Sequence, residues 1–291
     1  MALRNLKEFC SPANQQQVGA VLDKYGDGAL VLAGGTFIRG LEARGLLSEV
    51  EALVDIRKLG LDGWSATADG IRIGAATTFA SLEKIPDLGS AAWLGALKDA
   101  LAHPPLQIKN AATVGGCLAA ACPFFDLPTA FMALDGTVST QGGAAPREIG
   151  LEQLLVGLFE NSLEPRELIT ELLLPKPSGS SASAFVKLEG TANDLAIINV
   201  AVRLTLDANG RCRDARVALG GGVGDSARRS PAAESLLQGQ AITDELLQAA
   251  AEAVGQDIEP TSDHRASAAY RLAMARLFTK RALNRALARL N

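Results

Sequence analysis

Apolar and polar positions along the chain fall into short runs that predict strands and helices in alternation. Ser11-Pro12 reads as a helix start, with serine as cap and proline at the first helical position. That helix covers 15–24 and ends at Gly26 or Gly28. Ala29-Leu30-Val31-Leu32 is a continuous apolar strand that enters the turn Ala33-Gly34-Gly35-Thr36. Residues 37–45 then read as helical, closing at Gly45, and Val54-Asp55-Ile56 forms the next strand. Ile71-Arg72-Ile73-Gly74 alternates as a half-buried strand does, and Thr78 caps a helix through Glu83. Residues 90–101 form another helix, cut short by His103-Pro104-Pro105. A second glycine turn, Thr113-Val114-Gly115-Gly116-Cys117, precedes a helix starting near Asp126 and Pro128. Residues 168–174 are an apolar strand ended by Pro175 and Pro177.

Residues 175–181, Pro-Lys-Pro-Ser-Gly-Ser-Ser, have the composition of a linker. Beyond them, 184–188, 197–206 and 216–219 read as antiparallel strands, with a hairpin turn at 207–210. From Ser230-Pro231 the pattern is helical to the end. These readings divide the chain into a domain at 1–177, with subdomains of about 1–58 and 59–177, and a second at 178–291. Both are α+β, and neither shows internal repeats or low-complexity tracts.

Composition narrows the function classes. Of 291 residues, 48% are hydrophobic and 21% charged, which suits a packed interior and argues against disorder. The net charge of -4 argues against a nucleic-acid binder. Residues 1–10 carry Arg4 and Lys7 without a long apolar run, so no signal peptide is expected. No window approaches the ~20 apolar residues of a membrane span. Cys10, Cys117, Cys122 and Cys212 are scattered, which points to a reducing, cytoplasmic setting.

Candidate chemistry centres on the two glycine turns. Adjacent glycines let backbone approach a ligand closely and aim several amides at one anion. Two such turns could hold both ends of a pyrophosphate, although Gly-Gly alone is common in ordinary turns. Neither turn has a Walker lysine or the spaced glycines of a Rossmann fingerprint. The run Gly220-Gly221-Gly222-Val223-Gly224 reads as a bulge or loop. His103 and His264, the only histidines, lack partners at metal-ligand spacing. Cys117 and Cys122 have no second cysteine pair nearby and read as small buried residues.

Taken together, Ala33-Gly34-Gly35-Thr36 and Ala112-Thr113-Val114-Gly115-Gly116, followed by Pro123 and Asp126, resemble a known family. It is the FAD-binding medium subunit of the molybdenum hydroxylases, of the carbon monoxide dehydrogenase and xanthine dehydrogenase type. Ile71-Arg72-Ile73-Gly74-Ala75 with Thr77-Thr78, Gln107-Ile108-Lys109-Asn110 and Glu167-Leu168-Ile169 extend the likeness. Phe185-Val186-Lys187-Leu188 and Asp194-Leu195-Ala196 carry it across nearly the whole chain.

The resemblance implies a two-subdomain, PCMH-like FAD-binding domain, followed by a small antiparallel sheet with a helical C-terminal part. It implies a pyrophosphate cradled by the amides of 33–37 and 113–117. The implied FAD site comprises Val31, Leu32, Ala33, Gly34, Gly35, Thr36, Phe37 and Ile38 from the first segment. Thr113, Val114, Gly115, Gly116 and Cys117 come from the second, joined by Thr77, His103, Asp126, Ile169 and Lys187. Thr77 is a candidate hydroxyl donor. Asp126 reads equally well as a cap or first-turn acid, whereas Lys187 reads as a cofactor contact from the second domain ahead of a solvated strand lysine. His103 reads more simply as a loop histidine, and Ile169 as strand core. The chain departs from the family at Cys117, which replaces a common asparagine, and at Phe37, which replaces a common polar residue.

No catalytic acid or base and no metal ligand is expected on this chain. The resemblance implies partners, a molybdopterin-binding large subunit and a [2Fe-2S] small subunit, in a dimer of heterotrimers. FAD would pass electrons from the clusters to NAD+, oxygen or another acceptor. The alternatives are a free-standing FAD-dependent oxidoreductase and a non-catalytic ligand-binding or assembly protein of the same fold. The C-terminal helix from Ser267, rich in Arg and Lys, reads as a solvated or partner-facing surface, with Leu272, Leu277, Leu283, Leu287 and Leu290 on its apolar side.

Overall fold

The computed structural model describes residues 3–290. The chain starts with β1 (Glu8–Cys10), α1 (Gln15–Tyr25), β2 (Ala29–Leu32), α2 (Thr36–Ala43) and β3 (Ala52–Asp55). The strands form a parallel sheet in the order β1-β3-β2. Helix α1 starts later than Ser11-Pro12 suggests. Asn14 is its cap, accepting from the Gln17 amide, while the Gln17 side chain accepts from the Ala13 amide. This reciprocal closure fixes the start of the helix at Asn14 and leaves Ser11-Pro12 outside it. Gly26 ends α1 with a φ of +52°. Val18, Val54 and Ile56 form a small core beneath the sheet, shared with Leu168.

The middle of the chain holds β4 (Trp64–Thr67), β5 (Gly70–Gly74), α3 (Phe79–Leu82), α4 (Gly95–Leu101), α5 (Leu106–Ala111), α6 (Val114–Ala119) and α7 (Asp126–Ala133). It continues through β6 (Thr137–Gln141), β7 (Arg147–Gly150), α8 (Leu151–Leu154), β8 (Leu155–Gly157), β9 (Glu160–Asn161) and β10 (Leu168–Pro175). The antiparallel sheet runs β4-β5-β10-β6-β7, and β8-β9 is a separate hairpin. Within 90–101, only 95–101 is α-helical, preceded by a 3-10 turn at Ala92–Leu94. Every residue of α7 is buried, so this helix is the axis of the main core.

Glu167 ties β6 and β7 to the start of β10. Its buried carboxylate accepts from the Thr140 hydroxyl, the Arg147 guanidinium and the Glu164 amide at 2.7 Å. The Arg147 contact, opposed by burial, holds the acid down at about 2. A folded value below the ordinary 4.5 means the stabilisation is present above that pH and is lost as pH falls toward about 2. Melting temperatures measured from pH 6 to 3 should therefore fall less steeply in Glu167→Gln than in the native chain. Parallel curves would remove Glu167 from the acid response.

The C-terminal part contains β11 (Ser180–Leu188), β12 (Ile198–Leu206), β13 (Cys212–Gly220), β14 (Arg228–Arg229), α9 (Pro231–Leu237), α10 (Asp244–Ala253) and α11 (Ala268–Ala288). The sheet runs β11-β12-β13-β14, with the turn at 207–210 where the sequence places it. Pro175 closes β10 and Ser180 opens β11, so 176–179 alone connect the sheets. The stretch after Ser230 is not continuously helical, because 257–267 is an irregular segment. It is held by Arg271, fully buried, which donates to the Thr261 carbonyl and pairs with Asp263 at 2.8 Å. Helix α11 buries Ala275, Phe278, Ala282, Leu283 and Ala286, whereas Leu277 is exposed. The buried face is therefore built on small residues that let α11 lie close to β12.

Ion pairs and a buried hydrogen bond lock this part onto the rest. Arg289 at the end of α11 pairs with Asp99 of α4 at 2.7 Å, and the Ala96 amide donates to the Ser183 hydroxyl at 2.7 Å. Arg203 and Arg216 both grip Asp135, at 2.6 Å each, just beyond α7.

Candidate functional site

The two glycine segments, about eighty residues apart in sequence, touch in space. A Cβ on Gly34 would overlap the Ala111 carbonyl oxygen and lie 2.8 Å from the carbonyl carbon. Gly35 takes the left-handed conformation, φ +68°, as the cap of α2. The first intrahelical bond runs from the Arg39 amide to the Gly35 carbonyl at 3.0 Å. Among the described residues, none accepts a hydrogen bond from the amides of Gly35, Thr36, Phe37 or Ile38. Four free donors at the positive end of a helix have the chemistry of an anion site.

The second segment differs from its sequence reading. Residues 114–117 are the first turn of α6, with Thr113 as cap, rather than a free-standing glycine turn. Their amides already have protein acceptors. Val114 donates to the Thr77 carbonyl at 3.0 Å and Gly115 to the Ala75 carbonyl at 2.7 Å. Gly116 donates to the Thr113 hydroxyl at 3.2 Å, and Cys117 to the Thr113 carbonyl at 2.9 Å. These four are thus not the free donors that the resemblance implied for 113–117. The glycines serve close approach instead. A Cβ on Gly115 would lie 2.7 Å from the Ala75 Cβ, while exposed Gly116 keeps the surface of the turn bare. Thr77 is likewise turned inward, donating its hydroxyl to the Gly63 carbonyl at 2.7 Å. Its carbonyl and hydroxyl fasten α6 to the loop before β4.

Val31 and Ala33 pack on the core around Val18 and Leu168, and Ile38 on the one around Leu47 and Leu53. Leu32 lies beneath Gly35, whose added Cβ would be 3.1 Å from Leu32 Cδ1. Ile169 is buried in the main core, and Thr36 opens α2. Cys117 and Cys122 are buried free thiols, the latter pushed up to about 11 by burial. The Phe37 ring stacks on Phe159 at 5.7 Å and meets Phe125 edge-on at 5.8 Å. Phe125 is the cap residue of α7, so Phe37 links the start of α2 to Asp126.

Asp126 is a first-turn acid whose side chain does not cap the helix. It accepts from Lys187 Nζ at 2.8 Å and from Asn199 Nδ2 at 3.1 Å. Lys187 is no solvated strand lysine: its side chain is 3% exposed. It also donates to the Asp194 carbonyl at 2.6 Å and lies 3.1 Å from Glu189 Oε2. His103 Nδ1 is 3.7 Å from Glu189 Oε1, with its ring edge-on to Phe185. Burial raises the Asp126 acid, and Lys187 and Asn199 oppose that rise. Asn199 is fully buried and accepts the Thr129 hydroxyl at 2.9 Å. A Cβ on Gly220 would lie 2.5 Å from both Asn199 Oδ1 and Thr129 Oγ1. The third glycine run therefore leaves room for this network.

Residues 4–177 match the family model described as the FAD binding domain in molybdopterin dehydrogenase. Residues 183–286 match the CO dehydrogenase flavoprotein C-terminal domain. The chain belongs to the FAD-binding subunits of the molybdenum hydroxylase family. Its cofactor is FAD. This subunit is 36% identical to the 6-hydroxypseudooxynicotine dehydrogenase complex subunit alpha of Paenarthrobacter nicotinovorans, covering 91% of this chain and 88% of that one. It is 31% identical to the carbon monoxide dehydrogenase medium chain of Hydrogenophaga pseudoflava, over 97% of both chains. A solved carbon monoxide dehydrogenase from Hydrogenophaga pseudoflava, lacking the Mo-pyranopterin moiety, superposes with a TM-score of 0.90 at 31% identity, covering 98% of each chain.

The site fits an FAD diphosphate at the α2 amides, where rigid main-chain donors stand in for a basic cluster. Sequence reasoning missed Asn199, Glu189 and Gly220. Asn199 had a signal, a lone amide in the apolar strand Ile198-Asn199-Val200-Ala201-Val202. Among the described residues, no group of three His, Cys, Asp or Glu is placed to hold a metal ion. No described helix is long and apolar enough to cross a membrane.

Proposed function

We propose that this FAD-binding subunit holds the cofactor's diphosphate at the start of α2 and relays electrons from partner clusters to NAD+, oxygen or another acceptor. The four unbonded amides of Gly35–Ile38 carry the reading. When bound, FAD supplies the exchange between one-electron and two-electron carriers. The protein's part is to bind, place and screen. Gly34 sets the first turn against Ala111, and bare Gly116 leaves the neighbouring surface open. The Asp126–Lys187 pair brings a charge network from the C-terminal sheet to the head of α7. Neither glycine segment carries an acid or base, which accords with substrate chemistry on another subunit.

The partners in this reading are a molybdopterin-binding large subunit and a [2Fe-2S] small subunit, in a dimer of heterotrimers. The acceptor is NAD+, oxygen or another oxidant. Relatives named as medium chains and as a complex subunit support the assembly. Four free cysteines support a reducing, cytoplasmic compartment.

Purification of the tagged full chain with its untagged native partners tests this. Molybdenum, iron and FAD should co-elute, and the flavin absorbance should bleach with substrate and recover with acceptor. A chain that takes up no FAD and brings neither metal would end the reading.

A further inference from the structure

The hairpin β8–β9 reaches both glycine-bearing helices. At its foot the Asn161 side-chain amide donates to the Ala119 carbonyl at 2.8 Å, at the end of α6. At its tip the Phe159 amide donates to the Ala121 carbonyl at 3.2 Å, and the Phe159 ring stacks on Phe37 with the planes 28° apart. Leu158 and Phe159 form a two-residue turn between the paired Gly157 and Glu160. Phe159 takes the left-handed conformation there, φ +59°, which a side chain makes costly and glycine does not. Neither the turn nor burial accounts for an aromatic residue at this place, since the ring is nearly half exposed. What the ring does meet is the first turn of α2.

Helix α2 has few other anchors. None of its residues is fully buried. Ile38 ties its first turn to the core around Leu47 and Leu53, on the N-terminal side. Phe37 ties the same turn to the middle of the chain, through Phe159 and Phe125. The amide of Phe37 is one of the four to which no described residue offers an acceptor. A ring packed on two sides restrains the backbone that carries this amide.

We propose that Phe159 is a positioning residue for the cofactor's diphosphate: its ring, carried on a strained turn, clamps Phe37 and so holds the free amides of α2 in place. This rests on the reading that FAD binds at the start of α2. The strain at Phe159 is kept because glycine, the residue the turn favours, has no ring to offer. The anchorage of the hairpin at Ala119 and Ala121 sets this clamp against the helix that begins with the second glycine pair.

The test is FAD titration of the full-length apoprotein, paired with its unfolding in urea. Phe159→Gly removes the ring and relieves the turn. It should raise the FAD dissociation constant about fivefold, the scale of one aromatic pair, while the apoprotein unfolds at no lower urea concentration. Phe159→Tyr keeps the ring and should bind FAD as the native chain does. Phe37→Leu should weaken binding to a similar degree, and adding Phe159→Gly to it should cost nothing more, because both changes remove the same contact. An unmoved dissociation constant in Phe159→Gly, an equal loss in Phe159→Tyr, or additive losses in the double variant would overturn the proposal. So would a loss of affinity that only tracks a loss of apoprotein stability. Should Phe159→Gly not fold, Phe37→Leu decides, and native affinity there overturns it too. FAD retained by Gly34→Ala would instead sink the site reading. FAD lost from Gly34→Ala with an unmoved Phe159→Gly sinks only the role of Phe159.

Discussion

Replacing Gly34 with alanine should strip this subunit of FAD, raising the dissociation constant by about a hundredfold or more. The new methyl group would meet the Ala111 carbonyl, which is backbone and cannot rotate aside. The first turn must then lift away from the second segment, and the amides of Gly35–Ile38 move with it. A hydrogen bond to a charged group is worth about 1.5–3 kcal/mol, so misplacing two of the four donors accounts for a hundredfold. Gly40→Ala is the control. It lies on the same helix with nothing within 4 Å of its added Cβ, and should keep its flavin. The measurement is the flavin-to-protein ratio of the purified chain, followed by FAD titration of the apoprotein. A full flavin complement in Gly34→Ala would remove the start of α2 from the site.

Lys187→Met should destabilise the chain by about 3–5 kcal/mol, the usual cost of leaving a buried charge without its partner. Asp126 would keep Asn199 but face Glu189 without the cation between them. Its folded acid value would then rise further above the unfolded one. A carboxyl raised in the folded state contributes stability at low pH and loses it as pH rises through the folded value. The deficit should therefore shrink on acidification, the opposite of the Glu167 response. Urea unfolding at pH 5 and pH 8 checks both the size and the sign. The triple variant Lys187→Met, Asp126→Asn, Glu189→Gln should recover part of the loss, because no charge is left buried alone. A deficit independent of pH would show that Lys187 acts through packing.

Legibility in the sequence followed the source of each element's stability. Strand β2 is an apolar run, and β5, β10 and β12 are dominated by apolar residues with only scattered polar ones, so all four were readable directly. Strand β6, Thr-Val-Ser-Thr-Gln, was not, because its place comes from pairing with β10 rather than from its own pattern. Helix α6 was read as a turn for a comparable reason. Two adjacent glycines disfavour helix by about 1 kcal/mol each. The Thr113 cap and the carbonyls of Ala75 and Thr77 hold the segment nonetheless. Helix α5 was missed because two prolines conceal a start at Leu106.

The glycine pairs raised the expectation that backbone passes unusually close to something at both places, and the structure bears it out. That holds for Gly34 against Ala111 and Gly115 against Ala75, since a side chain would not fit at either. The order of the motifs determined the family. Only the tertiary structure decided which amides remain free, because an amide's partner can lie anywhere along the chain. Thr77 and Ala75 occupy those of Val114 and Gly115, and nothing described occupies those of Gly35–Ile38. Folding also decided that Lys187 is buried between Asp126 and Glu189, because a strand lysine looks the same in sequence whether water or carboxylates surround it.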